Sequence, residues 1–210
     1  MDELQIITTK PRLFRAASIC MGDDECRHYL RGVFVQPCQH GGIVIIGTDG
    51  SVMSVGHDPN GSISGGRQDG AAIITLNDAR LWDHFADSGH ATVTGNVGQL
   101  YHHKDGPAFM SMFIDVIDFD YPNWRKAIAG MSLIGEACSP PIDPRITSVI
   151  GEAAKAAVGL CVPTPMTMFS THPKMPALVR VGGVDDWFGL VMPMTGDKPP
   201  ARELPSWMIA

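Results

Sequence analysis

Apolar positions along this chain alternate between two spacings, and the changeovers recur. Residues 10–21 (KPRLFRAASICM) place Leu13, Phe14, Ala17 and Cys20 at helical intervals behind a proline in the first turn, which predicts a helix. Strand patterning follows at residues 29–37, 42–48 and 51–56, and the last two meet at Thr48-Asp49-Gly50, an Asp-Gly hairpin signal. Residues 57–70 are rich in glycine and poor in apolar side chains, so they read as an exposed loop.

The plan then repeats. A strand at residues 72–76 leads to Asn77 or Asp78 as the cap of a short helix over 79–86, with strands at 90–95, 98–103 and 109–116. A third unit opens at Ile142-Asp143-Pro144 with a helix over 145–158 and strands at 165–170, 177–181 and 187–193. Residues 131–141, with glycine, serine and paired prolines, predict a linker. Helix plus antiparallel strands, three times over, predicts an α+β fold built from an architectural repeat.

Composition narrows the class. The chain has 210 residues, 44% hydrophobic and 18% charged, which is globular rather than disordered. No apolar run reaches the roughly 18 residues of a membrane span, and the first residues lack a signal-peptide layout, so the expected location is cytoplasmic with no membrane partner. Five widely spaced cysteines without a C-x-x-C pair predict reduced thiols. A net charge of −6 does not announce a nucleic-acid binder, although a total conceals its distribution.

Catalytic chemistry is not legible. His102 and His103 are neighbours on a predicted strand and so point to opposite faces, which prevents both from ligating one metal. Asp115, Asp118 and Asp120 fall at a strand exit before Pro122 and read as turn solvation. Gly65-Gly66 and Gly182-Gly183 lack the setting of a phosphate loop, and no nucleophile motif is present. The expectation is a protein that is not an enzyme and needs neither metal nor cofactor.

Two stretches carry a family resemblance. The run from Asp24 to Val35 followed by Ile45-Ile46-Gly47-Thr48-Asp49-Gly50 resembles the middle domain of the bacterial β sliding clamp, the ring that tethers DNA polymerase III to DNA. The stretch Phe188-Gly189-Leu190-Val191-Met192-Pro193-Met194 resembles the way clamp subunits finish. The resemblance implies a DNA-clamp fold, with helices lining the hole and sheets outside. It assigns residues 1–130 to a middle domain and 142–195 to the second half of a last domain, and leaves 196–210 as a tail whose Leu204 and Trp207 could occupy the binding groove. A ring of twelve such units would take four copies of this three-unit chain, so a homo-oligomer is expected.

The resemblance also implies a peptide groove made by Leu30, Thr48, Gly50, Met53, Pro122, Lys126, Ala127, Leu190, Met192, Pro193 and Met194, with the methionines as an adaptable wall. Its partners would be DNA polymerase or other proteins carrying clamp-binding peptides. The family has His-Arg where this chain has Ser51-Val52, and Arg-Arg where it has Arg125-Lys126. Double-stranded DNA would be met by Lys10, Arg12, Arg15, Arg80, Arg145 and Lys155 through phosphates alone. The expected function is that of a polymerase processivity factor and peptide-binding platform. The rival is a non-encircling module that binds or sequesters such peptides.

Overall fold

The computed structural model describes residues 3–66, 70–129, 140–159, 164–170, 172 and 174–194. The chain runs through β1 (Gln5–Thr8), α1 (Arg12–Ile19), β2 (Val33–Pro37), β3 (Ile43–Thr48), β4 (Val52–Asp58), β5 (Ser62–Ser64) and β6 (Ala72–Thr75). It continues with α2 (Asp83–Asp87), β7 (His90–Thr94), β8 (Val97–Tyr101), β9 (Met110–Phe113), β10 (Asp115–Ile117) and α3 (Arg125–Ala129). The last elements are α4 (Pro144–Val158), β11 (Met166–Phe169), β12 (Ala177–Val181) and β13 (Val184–Val191). All strand pairs are antiparallel. They form a five-stranded sheet, β5-β1-β7-β8-β9, and an eight-stranded one, β10-β6-β2-β3-β4-β13-β12-β11.

The larger sheet is covered on both faces, which explains the unbroken apolar run of β3. Ile43 and Ile45 join a core with Leu13, Phe14 and Ala17 of α1, while Val44 and Ile46 join a second core on the opposite face. There the chain after β10 crosses the sheet and packs Tyr121, Trp124 and Ile128 against it. Gly47 permits the close approach of α1: a Cβ there would overlap the Ala17 carbonyl. Helix α4 lies beside α1 and begins as its sequence dictates, with Asp143 accepting from Arg145 N at 2.8 Å, Pro144 at the first turn, and Gly159 in the left-handed region at its end.

Unit three is stitched directly onto unit one. β13 pairs with β4 from Trp187↔Gly56 to Val191↔Val52. The fully buried Trp187 donates its indole N–H to Ser54 Oγ at 2.8 Å. Trp187→Phe leaves that hydroxyl without its donor, and it should destabilise the protein by about 1–2 kcal/mol in urea unfolding. In a Ser54→Ala background the same change should cost less, because no orphaned hydroxyl remains.

Three expectations are corrected. Residues 29–32 are not strand: a 3₁₀ helix occupies Glu25–Leu30, started by Asp24 Oδ1 accepting from Cys26 N at 2.9 Å. The loop at 57–70 is shorter than its composition implies, since β4 runs on through Asp58 and Ser62–Ser64 adds a strand to β1. Asp58 is wholly buried and satisfies one end of that segment: Oδ2 accepts from Thr8 Oγ1 (2.7 Å), Thr9 N (2.6 Å) and Lys10 N (3.2 Å), and Oδ1 from Thr9 Oγ1 (2.9 Å) and Asn60 N (3.1 Å). The strand expected over 109–116 is two strands, β9 in one sheet and β10 in the other, with buried Ile114 between them. Most of the expected linker, residues 131–139, and the tail at 196–210 lie outside the described residues.

Candidate functional site

The segment that crosses the outer face of the large sheet does not seal it completely. Tyr121 is stacked flat on Phe34, with ring centroids 4.5 Å apart, and burial pushes its phenol well above the ordinary tyrosine range. Beyond Tyr121, between this strap and the β3–β4 turn, a cavity of about 270 Å³ remains. The 3₁₀ helix contributes Arg27, Tyr29 and Leu30 to it, and the turn contributes Thr48 and Gly50 to Met53. The strap contributes Pro122, Asn123, Trp124 and Ala127, while Leu190 and Met192 come from β13 and its exit. Met53 and Leu190 are register partners, so the cavity sits on the seam between units one and three.

The turn is locked by its own hydrogen bonds. Thr48 Oγ1 donates to Val52 O (2.6 Å) and accepts from Gly50 N (3.0 Å); Asp49 Oδ1 accepts from Ser51 N (2.6 Å) and Val52 N (2.8 Å). Gly50, at φ +96°, takes a conformation that side-chain-bearing residues avoid. Met192 N donates to Ser51 O at 2.8 Å, which fixes the exit of β13. At the rim, Arg27 Nε donates to Asp24 Oδ2 (3.0 Å) and its Nη1 to the Asp49 carbonyl (3.2 Å). Beside it Tyr29 is stacked on Phe119 at 5.1 Å. These turn and rim groups are already engaged, so what the cavity offers a ligand is mainly apolar surface with a cationic and aromatic rim, together with the buried indole N–H of Trp124, which has no partner among the described residues.

Eight of the eleven groove residues expected from the sequence line this cavity: Leu30, Thr48, Gly50, Met53, Pro122, Ala127, Leu190 and Met192. Three do not. Lys126, Pro193 and Met194 lie outside the lining, and Met194 is instead held by its N–H donating to Pro141 O at 2.8 Å. Sequence reading missed Arg27, Tyr29, Ser51, Val52, Asn123 and Trp124. Arg27 and Tyr29 reach the cavity only because the chain before Leu30 coils as 3₁₀ rather than extending.

The six candidate DNA cations are all ion-paired. Lys10 and Arg12 share Asp186 Oδ2, each at 2.7 Å, and Arg15 meets Asp83 at 2.6 Å. Arg80 meets Asp78 and Arg145 meets Asp143, both at 2.6 Å, while Lys155 lies 3.7 Å from Glu152. The arginine partners hold the Asp78 carboxyl at about 2 and the Asp143 carboxyl below the usual range. Among the described residues no cluster of three or more His, Cys, Asp or Glu has a metal-holding arrangement, and His102 instead stacks on Phe109 at 4.1 Å. Cys20 is buried, while Cys26 is exposed and Cys38 half-buried, all three as free thiols. No described helix is long and apolar enough to cross a membrane.

No protein-family model matches the sequence, and no curated protein matches it either. Solved structures do. A β sliding clamp from C. crescentus superposes with a TM-score of 0.62 at 15% identity, covering 93% of this chain and 66% of that one. DNA polymerase III subunit beta from Borrelia burgdorferi gives 0.57 at 11% identity, covering 91% and 64%. The Helicobacter pylori β clamp, solved with a DNA ligase peptide, gives 0.60 at 15% identity, covering 93% and 67%. The fold is that of a β sliding clamp. The chain spans just under two thirds of the length of the first two of these clamps. Within this clamp fold, α1, α2 and α4 share the side on which the six paired cations lie, and the cavity is formed under the strap on the opposite face of the large sheet.

Proposed function

We propose that this chain is a clamp-like replication protein whose seam cavity binds short peptides with hydrophobic anchors, carried by a DNA polymerase or another replication partner. In that role it would serve as a processivity factor and homo-oligomeric platform rather than as an enzyme. The observation that carries this reading is the apolar cavity at the β4–β13 seam, whose lining includes eight residues that the sequence resemblance had marked for peptide binding. The H. pylori clamp was solved bound to a DNA ligase peptide, so a protein of this fold accepts a peptide. Its volume and its Met53 and Met192 fit one or two flexible apolar side chains. Fluorescence anisotropy with a labelled peptide carrying Leu followed by an aromatic residue tests the reading. Saturable binding that an unlabelled copy competes away supports it, and no binding at high micromolar protein overturns it.

The ion pairing of the helical face favours a second reading, a peptide-binding module that does not track DNA. Where a pair is exposed, as at Arg80 and Lys155, a phosphate could displace the carboxylate with little net gain, whereas the Lys10 and Arg12 pairs with the shielded Asp186 would give way less readily. Duplex-DNA affinity should therefore be weak, with a log–log salt slope shallower than about −2. Retention on closed circular DNA and loss on linearisation would favour encirclement. Equal, salt-labile binding to both forms would favour the module.

A further inference from the structure

Trp82, Trp124 and Trp187 lie within the described residues, and their indole N–H groups meet different fates. Trp187 donates to Ser54 Oγ in the core. Trp82 is fully buried against Phe14 and Phe85, with no acceptor for its N–H among the described residues. Trp124 differs from both: its N–H is buried and equally without a partner, yet the residue is a wall of the seam cavity. An indole nitrogen can only donate, so the missing acceptor has to be brought to it. Leaving such a donor buried and unpaired costs free energy, and buried indoles normally find a partner.

The neighbours of Trp124 explain why the side chain does not relieve that cost by turning outward. Trp124 is only half-buried and sits on the strap, so an unrestrained ring could swing its N–H to water. It is held instead. The Arg125 guanidinium lies over the indole, 4.5 Å from the ring centroid. The same guanidinium donates from Nη2 (2.6 Å) and Nη1 (2.9 Å) to the side-chain amide oxygen of Gln36. Gln36 belongs to β2, so the indole is clamped to the large sheet through Arg125. The unpaired donor is thereby kept at the cavity wall, beside turn groups that already bond to one another.

We propose that Trp124 determines specificity in this cavity: its N–H donates to the main-chain carbonyl oxygen of the peptide residue whose apolar side chain fills the cavity, with Arg125 as the positioning residue. The inference rests on the peptide-binding reading above. A main-chain acceptor fits because the carbonyl carbon of any residue is two bonds from its Cβ, so seating the side chain brings the oxygen to the wall whatever the neighbouring sequence. An apolar molecule of the same shape without an acceptor would leave the N–H unpaired and be discriminated against. The N–H is closed to water in the free protein, and the flexible Met53 and Met192 of the same lining are the side chains able to yield as a ligand enters.

Replacing the Trp124 indole by benzothiophene, through an unnatural amino acid, keeps the ring and its shape and exchanges the N–H for sulfur. Affinity for the labelled peptide should fall about tenfold. Urea unfolding of the free chain should show stability unchanged or raised, because a buried unpaired donor has been removed. A peptide whose anchor residue is joined to the next by an ester, a weaker acceptor than an amide, should bind less tightly to the wild type, with a smaller loss against the benzothiophene variant. Arg125→Met should weaken peptide binding in the wild type and cost little more in the benzothiophene background, as befits a residue that acts through the N–H. In the isotope-labelled full chain the Trp124 indole proton resonance, identified by its absence from the variant, should move downfield on peptide addition. Equal peptide affinity of wild type and benzothiophene variant, or an indole proton unmoved at saturation, overturns the proposal while the peptide-binding reading stands. Absence of any peptide binding overturns both.

Discussion

Met192→Glu should reduce peptide affinity by about a hundredfold or more, equivalent to about 2.7 kcal/mol, while leaving thermal unfolding nearly unchanged. Met192 lines the cavity yet remains 42% exposed in the free protein, so the substitution adds a carboxylate that water can solvate until a ligand arrives. Binding would bury that charge beside Met53 and Leu190, where the neighbouring turn groups are already hydrogen-bonded to one another. Met194→Glu is the contrast: Met194 is at least as exposed but lies outside the lining, so affinity should change by no more than about twofold. Anisotropy titrations of both variants check the pair. Equal losses would place the anchor pocket further along the chain than the cavity does.

Asp58→Ala should cost about 3–5 kcal/mol of stability and lower the melting temperature by roughly 10 °C. The carboxylate accepts five hydrogen bonds that tie the end of β4 to the link between β1 and α1, and alanine would strand the backbone donors of Thr9 and Asn60, while Lys10 N would keep only Thr8 Oγ1 at 3.1 Å. Burial by itself would raise this carboxyl's pKa, but the hydrogen bonds from Thr8, Thr9 and Asn60 outweigh it and hold the group below its ordinary value. A depressed carboxyl stabilises the fold fully above its unfolded pKa of about 4 and loses that contribution as pH falls through the folded value. Urea unfolding between pH 7 and pH 3 should accordingly show the wild type losing its advantage over Asp58→Ala at the acid end. A constant gap between the two across that range would mean that packing, not the charge, is responsible.

The helices and most strands were legible because each is a local pattern. Leu13, Phe14 and Ala17 share a helical face whatever else the chain does, and Asp143-Pro144 opens a helix through its own backbone chemistry. What the sequence hid was decided at long range. Asp58 reads as one polar residue in a glycine-rich stretch, and its burial follows from Thr8 and Thr9, about fifty positions earlier. Phe109 to Val116 has continuous strand character, and nothing local says that Ile114 marks the passage from one sheet to the other. The site divides in the same way. Met53, Leu190 and Met192 were marked by their likeness to a family, whereas Trp124 sits alone among polar neighbours and becomes a wall only when the strap is laid across the sheet.

The Met53↔Leu190 pairing also gives the cavity a place in time. On a ribosome, a chain carrying β3, β4 and the strap already holds most of the lining, yet it stays without a receptor until β13 has emerged and docked. Competence to recruit a partner would then arrive last, as a sign that both halves are present and joined. An immature or clipped chain would be silent to those partners without any separate device to silence it.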